Sequence, residues 1–206
     1  MLYFTSDLHL GHANAIEFSH RSFEDVEQMN EALIRNINER VRVGDELYVL
    51  GDFAYRIKMD RQRELRERIR CRRVHLVPGN HDRDWTAFEY GGVFIVEPPV
   101  CTLKLDGGRR LALCHYPMMD WPGLRQGAIH LHGHIHAGPE YNEWNREMRL
   151  LRYDVGVDAN GYAPVSLEEV LAFFEGVEHR PRATRDTYEA LAYAPIPKET
   201  DRGWEP

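Results

Sequence analysis

Carboxylates, imidazoles and a carboxamide recur in this sequence just after apolar runs. Asp7 and His9 follow residues 2–6, Asp52 follows 46–50, and Asn80, His81 and Asp82 follow 74–77. His115 follows 109–114, and His134 and His136 follow 128–131. Oxygen and imidazole donors without thiolates suit manganese, iron, zinc and similar divalent ions, and a carboxylate can bridge two of them. A binuclear centre is therefore expected. Two metals roughly 3.5–4 Å apart clamp the attacking and leaving oxygens of an in-line displacement and provide hydroxide at neutral pH, which is phosphoryl-ester chemistry. Any one cluster is open to a plainer reading. Pro78-Gly79-Asn80 followed by Asp82 is also the composition of an ordinary surface turn. Of the eleven histidines, six lie at His81 or between His115 and His136, so their distribution carries more than their number.

The elements that must position these groups follow from periodicity. Residues 2–6 read as a strand. Val26, Met29, Leu33, Ile34, Ile37 and Val41 recur at helical spacing within 23–41, with Ser22 as the expected cap. The next strand, 46–50, separates two Gly-Asp pairs. Asp45 precedes it and Asp52 follows it, and ligand sites in α/β sheets lie at the carboxyl ends of strands, so only Asp52 is placed for chemistry. Strand 74–77 leads through Trp85 and Phe88 to a break at Gly91-Gly92. Strands 100–105 and 109–114 flank Asp106-Gly107-Gly108, a hairpin signal. A short strand at 128–131, a last long strand at 150–157, and a helix started by the Ser166/Glu169 capping box complete the pattern. This order predicts an α/β or α+β layered sandwich.

At 206 residues, with 43% hydrophobic and 29% charged residues, the chain reads as one domain over 1–176. Residues 177–206 read as a proline-rich tail with a weak helical patch near 188–193, packed on the surface or partly mobile. No apolar run is long enough for a bilayer and no signal peptide is evident, so a cytoplasmic location without membrane association is expected. Cys71, Cys101 and Cys114 lack CxxC spacing and suggest neither disulfides nor a thiolate zinc site. The net charge of -7 opposes a broad grip on nucleic acid. The seven arginines of segment 58–73 are read as a solvated helix face supported by a Glu64–Arg68 pair, with nucleic-acid contact as the alternative.

The blocks Asp7-Leu8-His9, Gly51-Asp52, Gly79-Asn80-His81-Asp82, His115 and Gly133-His134-Ile135-His136 together make the sequence resemble the calcineurin-like metallophosphoesterase superfamily. Their order and intervals match over about residues 1–158. The resemblance implies a four-layer αββα sandwich of two mixed β-sheets flanked by helices. It implies that Asp7, His9, Asp52 and His136 hold one metal, and that Asp52, Asn80, His115 and His134 hold the other. Manganese is favoured over iron, zinc, nickel or cobalt. His81 would meet the leaving oxygen, with Asp82 orienting its ring, and a metal-bridging hydroxide would attack phosphorus in line.

The resemblance is to small bacterial or phage-type phosphoesterases. In the protein-phosphatase branch, aspartate stands at Tyr55, glycine at Ile57 and glutamate at Asp82. His12, Arg56 and Arg83 are candidates to contact substrate; Asn14 is read as a helix cap. His130 and His132 are not expected to be ligands, and Asp154 and Asp158 are read as turn or cap residues, with support of a ligand histidine as the alternative. The expected activity is hydrolysis of small phosphate mono- or diesters, nucleotides among them. A metal-dependent nuclease and a non-catalytic interaction scaffold are the alternatives. Unpaired buried carboxylates and imidazoles would be costly to keep in a mere scaffold.

Overall fold

The computed structural model describes residues 1–178. The expectations for the tail from residue 179 onward, including the helical patch at 188–193, lie outside these residues. The chain runs β1 (Leu2–Thr5), α1 (Asn14–Phe18), α2 (Val26–Arg40), β2 (Glu46–Val49), α3 (Met59–Glu67), β3 (Arg73–Leu76) and β4 (Ile95–Val96). It continues with β5 (Val100–Lys104), β6 (Arg110–Cys114), β7 (Ile129–His132), α4 (Pro139–Glu147), β8 (Arg152–Asp154), β9 (Val165–Ser166) and α5 (Leu167–Phe173). A first sheet is ordered β4-β3-β2-β1-β9 and a second β5-β6-β7-β8. Both are mixed: β9 runs antiparallel to β1, and β5 antiparallel to β6, while the remaining pairs are parallel.

Side chains alternate across a strand, so consecutive apolar residues fill opposite faces. Tyr3, Leu47 and Val49 pack with Met29, Leu33 and Ile37 of α2 and Leu65 of α3. Their neighbours Phe4, Tyr48 and Leu50 face the second sheet through Leu111, Leu113, Ile129 and Leu131. The other face of the second sheet meets α4, where Asn142 exchanges hydrogen bonds with the Asp154 backbone. The expected sandwich of two sheets between helices is thus what forms.

Parallel strands put their carboxyl ends on one edge. The ends of β1, β2 and β3 coincide, as do those of β6, β7 and β8. The two edges meet where Ser6 bridges Gly156 and where Val157 N–H donates to the Ser6 carbonyl. Beyond their strands, the loops after β1 and β2 stay paired: Asp7 N–H donates to the Gly51 carbonyl and His9 N–H to the Asp52 carbonyl. The polar loops therefore converge by topology before any side chain is considered.

Several local expectations need correction. Asp25, not Ser22, caps α2, its carboxylate accepting from Gln28 N–H at 2.7 Å. Asn14 is the first residue of α1 and its side chain caps nothing. The strand expected over 150–157 is only Arg152–Asp154, because the Asp154 carboxylate takes the Gly156 N–H and its carbonyl takes Asn142 and Asn160, turning the chain. Glu64 pairs with Arg61 rather than Arg68, which reaches across to Glu31 of α2. The hairpin at Gly107-Gly108 and the Ser166/Glu169 capping box form as read.

Candidate metal centre

Asp7, His9, Asp52, Asn80, His115, His134 and His136 converge from both sheets. Ligand atoms of Asp7, His9 and His136 lie within 4.8 Å of one another, as do those of Asp7, Asp52 and His115. Asp52 Oδ2 stands 3.5 Å from His9 Nε2 and 3.5 Å from His115 Nε2, between the two groups. Asn80 Oδ1 lies 3.0 Å from His115 Nε2, and His134 Nδ1 3.2 Å from the same nitrogen. His9 Nε2 and His136 Nε2 are 3.1 Å apart.

These residues fit divalent ions on two observations. Asp7 is fully buried, and its Oδ1 has no hydrogen-bond partner among the described residues, although Oδ2 accepts from His134 N–H at 2.9 Å. Such an oxygen is costly unless something positive faces it. The imidazoles also crowd nitrogen against nitrogen while burial, and then the neighbouring His136, keep His9 far below its ordinary pKa and hence neutral. Burial and then His115 likewise lower His134. Neutral imidazoles with converging lone pairs are the donors that metals take. Burial, opposed by His136 and His115, pushes the Asp7 carboxyl above its usual range.

The backbone is bent to achieve this. Asp7, His9, Asp52, His134 and His136 all have positive φ, between 47° and 76°. That region is uncommon for non-glycine residues and clusters at functional sites. Gly133 is required for a different reason. A Cβ there would collide with Ser6 Oγ and Asp7 Oδ2, so only glycine lets the β7 loop close on Asp7.

Asp82 does not orient the His81 ring, contrary to expectation. Its carboxylate accepts from Gly79 N–H at 2.8 Å, Asp52 N–H at 2.8 Å and Phe53 N–H at 3.0 Å, which uses both oxygens to fix the loops after β2 and β3. Burial nevertheless raises its pKa, against those three donors. His81 is exposed, its N–H donates to Asp52 Oδ1 at 2.9 Å, and its ring stands perpendicular to Tyr55 at 4.7 Å. His12 stacks on Tyr55 at 3.8 Å and lies 5.4 Å from the His9 ring. Burial, then His81, lowers its pKa to about 4. Arg56 sits over the Tyr55 ring, while Arg83 is exposed and makes no side-chain hydrogen bond within the described residues.

Asp158 takes the alternative role, support of a ligand histidine, rather than the favoured turn or cap role. Its Oδ2 lies 2.8 Å from His136 Nδ1, and Arg21 holds it through Nε and Nη2 at 2.8 and 2.9 Å. The same guanidinium donates to the Asp7 and Leu8 carbonyls. Although burial works against the imidazolium, the Asp158 hydrogen bond and Asp7 lift the His136 pKa. With Nδ1 engaged, Nε2 of His136 is the nitrogen turned to the centre. Arg21 was not anticipated; an arginine 137 residues from its partner leaves no local signal.

Comparison with known proteins agrees with this geometry. The family model described as calcineurin-like phosphoesterase matches residues 2–159. An uncharacterised protein of Methanocaldococcus jannaschii is 33% identical over 177 residues, covering 84% of this chain and 91% of its own length. The Gene 66 protein of Mycobacterium phage L5 is 27% identical, covering 82% of this chain and 91% of its own. A crystal structure of a protein of unknown function from Aquifex aeolicus shares the fold, with a TM-score of 0.65 at 24% identity over 82% of this chain and 97% of that one.

Proposed function

This chain belongs to the calcineurin-like phosphoesterase family, and from that premise we propose that it is a binuclear metal-dependent phosphoesterase hydrolysing small phosphate mono- or diesters. The position of Asp52 Oδ2, 3.5 Å from imidazoles of both groups, carries this reading. Asp7, His9, Asp52 and His136 would hold one ion and Asp52, Asn80, His115 and His134 the other, with Asp52 shared. When bound, two such ions, manganese first among the candidates, supply a nucleophilic hydroxide near neutral pH and polarise the phosphoryl oxygens.

The chain's own residues do the rest. His81, exposed at the mouth and anchored through its backbone N–H to Asp52, is the group whose ring is able to hold or give a proton at the leaving oxygen. Asp82 keeps that loop in register with the Asp52 loop. His12, Arg56 and Arg83 are the candidates to meet an anionic ester. Arg61, Arg63, Arg68 and Arg73 are engaged with Glu64, Glu67, Glu31 and Glu46, which counts against a nucleic-acid-binding helix and so against the nuclease alternative.

The test is hydrolysis of bis-p-nitrophenyl phosphate and p-nitrophenyl phosphate with manganese, with and without chelator, beside metal analysis of the protein. Metal-dependent turnover of at least one is expected; no turnover of either, at full metal occupancy, would overturn the proposal. His81→Ala should keep its metal and lose turnover most for esters with poor leaving groups.

A further inference from the structure

The two halves of the centre differ in what surrounds them. On the His9/His136 side, Phe18 at the end of α1 is 53% exposed, and its ring stands nearly perpendicular to His136 at 5.5 Å and to His9 at 6.5 Å. From Phe18 the rings continue without a break: His12 at 5.4 Å, then Tyr55 stacked on His12 at 3.8 Å, then the Arg56 guanidinium 5.0 Å from the Tyr55 centroid. On the other side Tyr116, 44% exposed, packs against His134 at 4.6 Å and His115 at 5.0 Å, a single ring rather than a wall.

A large aromatic side chain left half in water beside a polar centre gains little for the fold, whereas covering it with a flat apolar ligand recovers its hydration free energy. The row of rings runs from Phe18 through His12 to Tyr55 at 5.4 and 3.8 Å, and the Arg56 guanidinium at its far end adds a cation that attracts both π-faces and phosphate. Resting on the phosphoesterase reading, we propose that the site takes a phosphodiester bearing a single nucleoside, with the base covering the wall formed by Phe18, His12 and Tyr55 while the phosphate sits at the ligand cluster. One nucleoside, rather than a polymer, agrees with the net charge of -7 and with the ion-paired arginines of α3.

Two esters with the same leaving group separate this from general phosphoesterase activity: thymidine 5′-(p-nitrophenyl phosphate) and methyl p-nitrophenyl phosphate. Stacking on aromatic side chains supports a preference of about ten-fold or more in kcat/KM for the thymidine ester. Phe18→Ala should remove most of that preference through KM while leaving the methyl ester within about two-fold, and Phe18→Tyr should retain it. In chelator-treated protein, saturation-transfer NMR with thymidine 5′-monophosphate should mark the base protons, and Phe18→Ala should erase that mark. Equal rates for the two esters with no base signal overturn the base-binding proposal and leave phosphoesterase activity standing. Failure to hydrolyse either ester removes both. If Phe18→Ala slows both esters equally, Phe18 is supporting His9 and His136, and the wall is not a base platform.

Discussion

Four histidines follow one another at every second position from 130 to 136, yet the two pairs are different objects. His130 and His132 lie within β7 and are fully buried, His130 beside Trp121 and His132 against Tyr141 of α4. His130 accepts from Met118 N–H and lies 3.0 Å from the Ala112 carbonyl, and His132 lies 2.9 Å from the Gly133 carbonyl and 3.3 Å from the Tyr141 hydroxyl. Their hydrogen bonds stay within the second sheet, α4 and the loop after β6. His134 and His136 come after the strand has ended, in left-handed backbone; His136 turns Nε2 to His9 from the other sheet, and His134 donates its backbone N–H to Asp7 there while its Nδ1 meets His115 at the end of β6. Residue type and spacing are the same for both pairs. What separates them is that one pair is fixed by the ladder and the other released by Gly133, whose missing side chain leaves space for Asp7.

The contrast can be broken most forcefully at the loop pair. His136→Ala is expected to cost at least about 100-fold in turnover and to lower metal content, more than removal of an outer partner usually costs; full metal occupancy with unchanged kcat would remove His136 from the ligand set. Asp158→Ala should come next, weakening metal affinity by about 10- to 100-fold, because His136 loses the carboxylate that fixes its Nδ1. A metal titration followed calorimetrically reads this directly. His132→Ala should leave metal content and kcat within a few-fold while lowering unfolding free energy by about 2–4 kcal/mol in denaturant titration, since it vacates a buried, hydrogen-bonded site.

A last effect, absent at neutral pH, concerns acid. Burial, partly offset by the Ala112 carbonyl, lowers His130 from 6.5 to about 4. As pH falls through 6.5 the unfolded chain takes up this proton while the folded one resists to about 4, so the penalty is absent above 6.5 and grows on acidification across that window. It reaches about 3 kcal/mol at most. His130→Gln should flatten the decline of stability between pH 6.5 and 4 in chelator-treated protein; an unaltered slope would show that His130 is already charged in the fold.

Much of the architecture was readable because it rests on local rules. Alternation places Tyr3 and Phe4 on opposite faces, Gly107-Gly108 turns the hairpin, and Ser166 with Glu169 opens α5. The converging residues were readable because parallel strands deliver their loops to one edge. Illegible were partnerships made across the fold. Asp82 follows His81 directly yet spends its carboxylate on backbone N–H groups 29 and 30 residues away as well as on Gly79, and Arg21 meets Asp158 across 137 positions. The exposed Phe18 also gave no warning, since its significance lies in its distance to His9 and His136 rather than in its neighbours along the chain.

The seam where Ser6 bridges Gly156 has a further consequence. Each proposed ligand set draws on both sheets: Asp7, His9 and Asp52 with His136, and Asp52 and Asn80 with His115 and His134. Sliding one sheet over the other by a fraction of an ångström would therefore detune both sets together. The apolar layer of Phe4, Tyr48 and Leu50 against Leu111, Leu113 and Leu131 acts as the calibration of the instrument, so trimming a methyl group there should register in catalytic rate as well as in melting temperature.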